Sequence, residues 1–321
     1  GNALVAVPMA AAHAAAASQG IPLWQYLLVD KSPVLPLPEI QIFGGGAHAG
    51  RRVDIQDFMV VAVGAAEYVQ ALEWTAEVYR AAGEILAAQG RLYGVADEGG
   101  FWPAFDSNEE GLELLVRAIE RAGLEPGRDM AISLDVAATE LFADGRYCLG
   151  LEGRELDVDG MVEMLLGWID SYPIVAVEDP VAETDISGFC AFTRAVGDRI
   201  AVVGDDLLVT SASRVESAAR EDACNALLVK PNQAGTLTEA RAALQAAVAA
   251  GWTTIVSARS GESEDTTIVH LAVGWGAPML KVGSLARSER AAKWNEGLRI
   301  AEAAGDGGRL PPRSAFPWGR R

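Results

Sequence analysis

Paired cysteines, clustered histidines, a basic leader and a surplus of positive charge are all missing from this chain of 321 residues. Its three cysteines, Cys148, Cys190 and Cys224, are scattered without CxxC spacing. Such spacing fits free thiols in a reducing compartment. Of the three histidines, His13 and His270 sit in helical segments without ligand-like neighbours and are expected to be structural. Lysine and arginine number 26 against 44 aspartates and glutamates, a formal net charge of -18. That field argues against nucleic acid and anionic membrane surfaces as partners. It also disfavours an anionic small molecule unless bound cations or a local basic pocket reverse it. The opening GNALVAVPMAAAHAAAASQG is apolar but has no basic n-region, so it reads as a helix ended by Gly20 and not as a signal peptide or membrane span. A cytoplasmic protein is expected.

Half the residues are hydrophobic, enough for a large core, and the length suits one α/β barrel with an appendage. A glycine-rich loop, FGGGAHAGRR at 43 to 52, can move and close over a site. From about residue 56, short apolar runs alternate with longer amphipathic segments. The runs are AISLD at 131–135, IVAVED at 174–179, AVVGDD at 201–206, ALLVK at 226–230, TTIVSAR at 253–259 and MLKVGS at 279–284. Near-continuous apolar strands separated by helices predict a parallel sheet covered on both faces, and their regular repetition favours a closed barrel. No low-complexity linker divides the region. The tail AGDGGRLPPRSAFPWGRR is expected to wrap the surface or stay disordered.

Where each apolar run stops, the charged residues are Asp135, Glu178, Asp205, Lys230, Arg259 and Lys281. One lysine after an apolar run is the ordinary meeting of strand and water. Six consecutive charged ends, three acids and then three bases, would gather at the carboxyl rim of a parallel barrel, where barrel active sites sit. Three converging carboxylates need a cation between them, and oxygen ligands alone suit Mg²⁺. The bases suit an anionic substrate, with Arg259 the better anion fork. Among cations the Lys230 ammonium is disfavoured, so its pKa is expected to fall and its amine to act as a base.

The motifs carry a resemblance. GVADEGGF at 94–101, LDVAATE at 134–140, YPIVAVEDP at 172–180, VVGDDLLVT at 202–210 and KPNQAGTLTEA at 230–240 resemble signatures of bacterial enolases. So do SARSGESEDTTI at 257–268 and LKVGSLARSERAAKWNEGLRI at 280–300. The resemblance implies an enolase-type barrel, ββαα(βα)6, over residues 31–303, preceded at 1–30 by a helical remnant of the family's N-terminal domain and followed by a tail at 304–321. It implies a homodimer or larger assembly and the reversible, Mg²⁺-dependent dehydration of 2-phosphoglycerate to phosphoenolpyruvate. By motif, Asp135, Glu178 and Asp205 match the metal ligands, Lys230 the base at C2, and Glu98 the acid that assists departure of the C3 hydroxyl. Arg259 and Ser260 match the phosphate contacts, Lys281 the carboxylate contact, and His48 and Gln56 the residues flanking the substrate. Read from residues alone, Gln56 is a core-edge amide and His48 a solvated loop residue.

Three departures from the family pattern stand out. The chain starts at what resembles the last helices of the family's N-terminal domain, whose Ser-bearing loop supplies a second-metal ligand and a lid. The motif S-H-R-S is here Ser257-Ala258-Arg259-Ser260, without a histidine that would contact the phosphoryl group. The usual Gln-Glu pair is Gln56-Asp57, one methylene shorter. The leading function is therefore 2-phosphoglycerate dehydration. A paralogue acting on a related phosphonate or carboxyphosphono substrate is the alternative enzyme, and a noncatalytic enolase-like interaction protein the alternative of another class.

Overall fold

The computed structural model describes residues 1–28, 32–305 and 308–320. Helices α1 (Asn2–Ser18) and α2 (Leu23–Leu27) come first, followed by strands β1 (Leu37–Gly44) and β2 (Asp57–Val61) and helices α3 (Tyr68–Ala88) and α4 (Asn108–Arg121). Strand β3 (Ala131–Asp135) leads into a small antiparallel sheet of β4 (Phe142–Ala143), β5 (Arg146–Leu149) and β6 (Arg154–Leu156), then α5 (Val158–Ser171). The alternation continues with β7 (Ile174–Glu178), α6 (Ile186–Val196), β8 (Ala201–Gly204), α7 (Ala212–Arg220) and β9 (Ala226–Val229). One turn, α8 (Pro231–Ala234), precedes α9 (Leu237–Ala249), and β10 (Thr253–Ser257), α10 (Thr267–Trp275), β11 (Met279–Gly283) and α11 (Ser288–Ala304) complete the series.

The strands close into a barrel in the order β1-β11-β10-β9-β8-β7-β3-β2. Strand β2 runs antiparallel to both β1 and β3, and the other neighbours are parallel. This is the expected ββαα(βα)6 barrel.

Side-chain parity along each strand decides what the barrel contains. Ala131, Ala176, Ala201, Val203, Ala226, Leu228, Ile255 and Met279 belong to one apolar cluster, with Leu37 and Val61. The residues between them, among them Ile132, Leu134, Val177, Val202, Leu227, Val256 and Leu280, pack in the larger cluster with the helices. Alternate residues of a strand face opposite sides of the sheet, so the first set lines the barrel interior, where several alanines suit the narrow space. The same parity carries the interior face to Asp135, Glu178, Asp205, Lys230, Ser257 and Lys281 at the carboxyl ends, and to Asp57 on the reversed strand β2.

Residues 308–320 close the other end. Phe316 is buried in the interior cluster and stacks on Trp318 at 4.6 Å, while Thr253 Oγ1 donates to the Ala315 carbonyl at 2.9 Å. The expectation of a wrapping or disordered tail missed this plug. Its cause is the apolar barrel floor, which needs a large ring to exclude water. Among the described residues, no helix is long and apolar enough to cross a membrane.

Candidate active site

The strand ends surround a cavity of about 140 Å³ at the carboxyl rim. Gln56, Glu98, Asp135, Asp205, Lys230, Arg259, Ser260 and Lys281 all line it, as do Asp57, Asp179, Asp206, Glu140 and Ala258. Strand β10 ends at Ser257, so Arg259 enters from the following loop and not from the strand itself. The backbone of His48 lies in a short 3-10 turn, Gly46–Ala49, and its side chain lies outside the described residues.

Lys281, 5 % exposed, sits at the centre. Its Nζ is 2.8 Å from Asp135 Oδ2, 2.9 Å from Glu178 Oε2 and 3.3 Å from Asp57 Oδ2. Burial works against the ammonium, but the carboxylates of Asp135, Glu178, Asp57 and Glu39 outweigh it and hold its pKa well above the usual lysine range. One layer deeper, Glu39 accepts from Ser133 Oγ at 2.5 Å, and burial raises its pKa. Gln56 Nε2 donates to Asp135 Oδ2 at 2.9 Å, and the Ala137 amide donates to the other oxygen at 3.0 Å. Despite burial, Lys281 and Lys230 keep the Asp135 carboxyl below its ordinary pKa.

Lys230 belongs to a second group. Its Nζ donates to Asp205 Oδ2, Gln233 Nε2 donates to Asp205 Oδ1 at 3.1 Å, and Thr210 accepts the Lys230 amide at 2.9 Å. Burial again opposes the charge, yet Asp205 and Glu178 win and raise the Lys230 pKa. The expected fall was for an ammonium among Mg²⁺ and other cations; here the carboxylates set the direction. The barrel order places Asp205 beside Lys230, because β8, which leads into Asp205, pairs directly with β9.

The acids are in excess. Burial, with Asp135 and Asp205 nearby, pushes the Glu178 carboxyl well above its ordinary range, and its Oε1 is buried without a hydrogen-bond partner. Asp206 is pushed up to about 6 by burial and Asp205. Among the described residues, the group of three whose carboxylate oxygens all lie within 4.8 Å of one another is Asp179, Asp205 and Asp206. Asp179 accepts the amides of Asp205 and Asp206 at 3.0 and 2.9 Å, so it shapes that turn. The expected ligands Asp135, Glu178 and Asp205 share only Asp205 with this group; the orphaned oxygen is on Glu178, and their all-oxygen donors suit a hard divalent cation.

Glu98 approaches from the loop between α3 and α4. It is 9 % exposed, and burial followed by the Asp57 charge pushes its carboxyl up to about 7. Near neutral pH it is a proton donor and acceptor in one group. The Ser284 amide fixes its backbone, donating to the Glu98 carbonyl at 2.8 Å. Two residues of the glycine-rich loop meet partners outside it: Arg51 is 3.2 Å from Glu140, and Arg52 lies over the Trp102 ring at 4.0 Å.

Asp57, Asp179, Asp206 and Gln233 line or brace the site although motif reading did not assign them to it. Asp57 was detectable by parity, two residues from Met59 and four from Val61 on the interior face. Asp206 and Gln233 were not, since each follows its strand in a turn of unpredictable direction. Independently of this geometry, residues 32–315 match the family model described as the enolase C-terminal TIM barrel domain. With that match over most of its length, on a ββαα(βα)6 barrel whose acidic and basic strand ends meet at one rim, the chain belongs to the enolase family.

Proposed function

We propose that this chain is a Mg²⁺-dependent hydro-lyase that removes a proton from the carbon beside a substrate carboxylate, with 2-phosphoglycerate as substrate and phosphoenolpyruvate as product. The observation that carries the reading is that Lys230 and Glu98, from separate elements, open on one cavity with the acid cluster. Asp135, Glu178 and Asp205 would hold Mg²⁺, which supplies positive charge where the substrate carboxylate takes up electron density. Lys230, whose Nζ lies against Asp205, would take the C2 proton as the neutral amine, the form favoured were Asp205 occupied as a metal ligand. The electron pair left at C2 forms the double bond as the C3–oxygen bond breaks. Glu98, protonated near neutral pH, gives its proton to the departing hydroxyl, which leaves as water. Lys281 and Arg259 hold the anionic ends.

The metal assignment is tested by titrating Mg²⁺ into wild type and Asp205→Asn by calorimetry. Affinity is expected to fall by about tenfold or more, since the variant trades an anionic hard ligand for a neutral amide. Equal affinity would remove Asp205 from the ligand set.

Ala258 favours a second reading, a related phosphonate or carboxyphosphono substrate, because a methyl group lines the cavity where the family motif has an imidazole. A charge-assisted hydrogen bond there is worth about 1.5–3 kcal/mol. If 2-phosphoglycerate is the native substrate, Ala258→His should raise its kcat/KM by roughly tenfold per 1.4 kcal/mol recovered. Steady-state kinetics decide between the two: a variant that turns over 2-phosphoglycerate no better, or worse, supports the bulkier substrate. A noncatalytic role is opposed by the retained Lys230 and Glu98.

A further inference from the structure

A large cation is hidden beneath the loop that follows β10. Arg290, in the first turn of α11, is fully buried. Its Nη1 donates to the Arg259 carbonyl at 2.7 Å and to the Val282 carbonyl at 2.8 Å, and its Nη2 donates to the Ser260 carbonyl at 2.5 Å. Glu289 faces its Nε at 3.5 Å. One turn on, Lys293 is equally buried; its Nζ donates to the Ser263 carbonyl at 2.7 Å and meets Glu262 Oε2 at 3.1 Å. Glu262 Oε1 in turn accepts the Arg259 amide at 3.0 Å.

Burying a guanidinium and an ammonium is costly, and an apolar side chain would fill the same volume more cheaply. Here the cations' partners are mainly backbone carbonyls of one loop. Carbonyls in a loop have no ladder to satisfy them, and a planar five-donor fork can hold several at once in fixed relative positions. All three residues whose carbonyls it grips, Arg259, Ser260 and Val282, line the cavity. The third carbonyl belongs to the residue after Lys281.

We propose that Arg290, assisted by Lys293 through Glu262, is a positioning residue that sets the anion affinity of the 259–263 loop without touching the anion. The inference rests on reading Arg259 as an anion contact, so the test separates the two. Inorganic phosphate is titrated by calorimetry, with Mg²⁺ present, into the full chain, Arg259→Ala, Arg290→Lys and the double variant. Arg290→Lys keeps the charge but loses the fork. It is expected to weaken phosphate binding roughly tenfold, as small misplacements of a binding group do. Mg²⁺ affinity should stay within about twofold, because the acids are held by other elements. In the Arg259→Ala background the Arg290→Lys effect should disappear, which a general loss of packing would not produce. Should Arg290→Lys fold poorly, Lys293→Met is carried through the same cycle.

Unchanged phosphate affinity in Arg290→Lys, parallel loss of Mg²⁺ and phosphate, or additive effects in the double variant would overturn the positioning role. Indifference of phosphate binding to Arg259→Ala would overturn both the anion reading of the loop and this inference. A complete cycle in a protein that fails to turn over 2-phosphoglycerate would sink only the proposed substrate.

Discussion

Lys230→Ala is expected to abolish exchange of the substrate C2 proton with deuterated water, whereas Glu98→Gln is expected to stop dehydration while leaving exchange measurable. The two side chains open on the same cavity from different elements, Lys230 after β9 and Glu98 from the α3–α4 loop. On the proposed mechanism they act on different atoms of one bound molecule. Taking the C2 proton needs only the base and charge for the carboxylate to lean on, so it survives loss of Glu98. Loss of the C3 oxygen as hydroxide at neutral pH needs a proton, and burial keeps one on Glu98 up to about pH 7. A positioned acid or base contributes about 10²–10⁴-fold, so each variant should lose at least ~10² in turnover. Exchange followed by NMR and product release followed by ultraviolet absorbance read the steps separately. Exchange that survives Lys230→Ala and dies in Glu98→Gln would swap the roles.

The largest stability effect is expected at Lys281. Replacing it with methionine fills the space but leaves Asp57, Asp135, Glu178 and Glu39 around an apolar stem. Removing one partner of a buried ion pair costs about 3–5 kcal/mol, because the remaining charge can reach neither water nor a counter-ion. The sign of the pH dependence follows from the shifts. Asp135, whose folded pKa is depressed, contributes stability above its ordinary pKa that is lost as pH falls. Lys281, whose folded pKa is raised, contributes stability at every pH below its ordinary value, lost only as pH rises through the folded one. Without the ammonium the carboxyls bind protons more tightly folded than unfolded. The gap between wild type and Lys281→Met should then be widest at pH 7 to 8 and shrink toward pH 5. Urea unfolding at both ends measures it, and a loss independent of pH would mean that Lys281 acts through packing alone.

Much of this site was present in the one-dimensional order of residues. Parallel strands entering a barrel repeat with period two, and each of AISLD, IVAVE and ALLVK places its charge an even number of residues beyond a small interior side chain. The repeated runs, with the motifs around Glu98 and Lys281, were enough to predict the barrel and its charged rim, but not the lining residues Asp57, Asp179 and Asp206. Arg259, read as a strand end, proved to be a loop residue whose place depends on contacts from α11.

What the sequence by itself determined is which strand side chains reach the carboxyl rim, because strand parity is local and survives any rearrangement of the helices. Only the tertiary structure decided which of them meet. Lys281 finds Asp57 because β2 runs backward between β1 and β3, and Lys230 is held charged because β8 puts Asp205 beside it. The 259–263 loop is shaped by Arg290, some thirty residues away along the chain. Pairing, and with it every shifted pKa in the site, is a property of distances of a few ångströms between strands, and no spacing along a single strand encodes those.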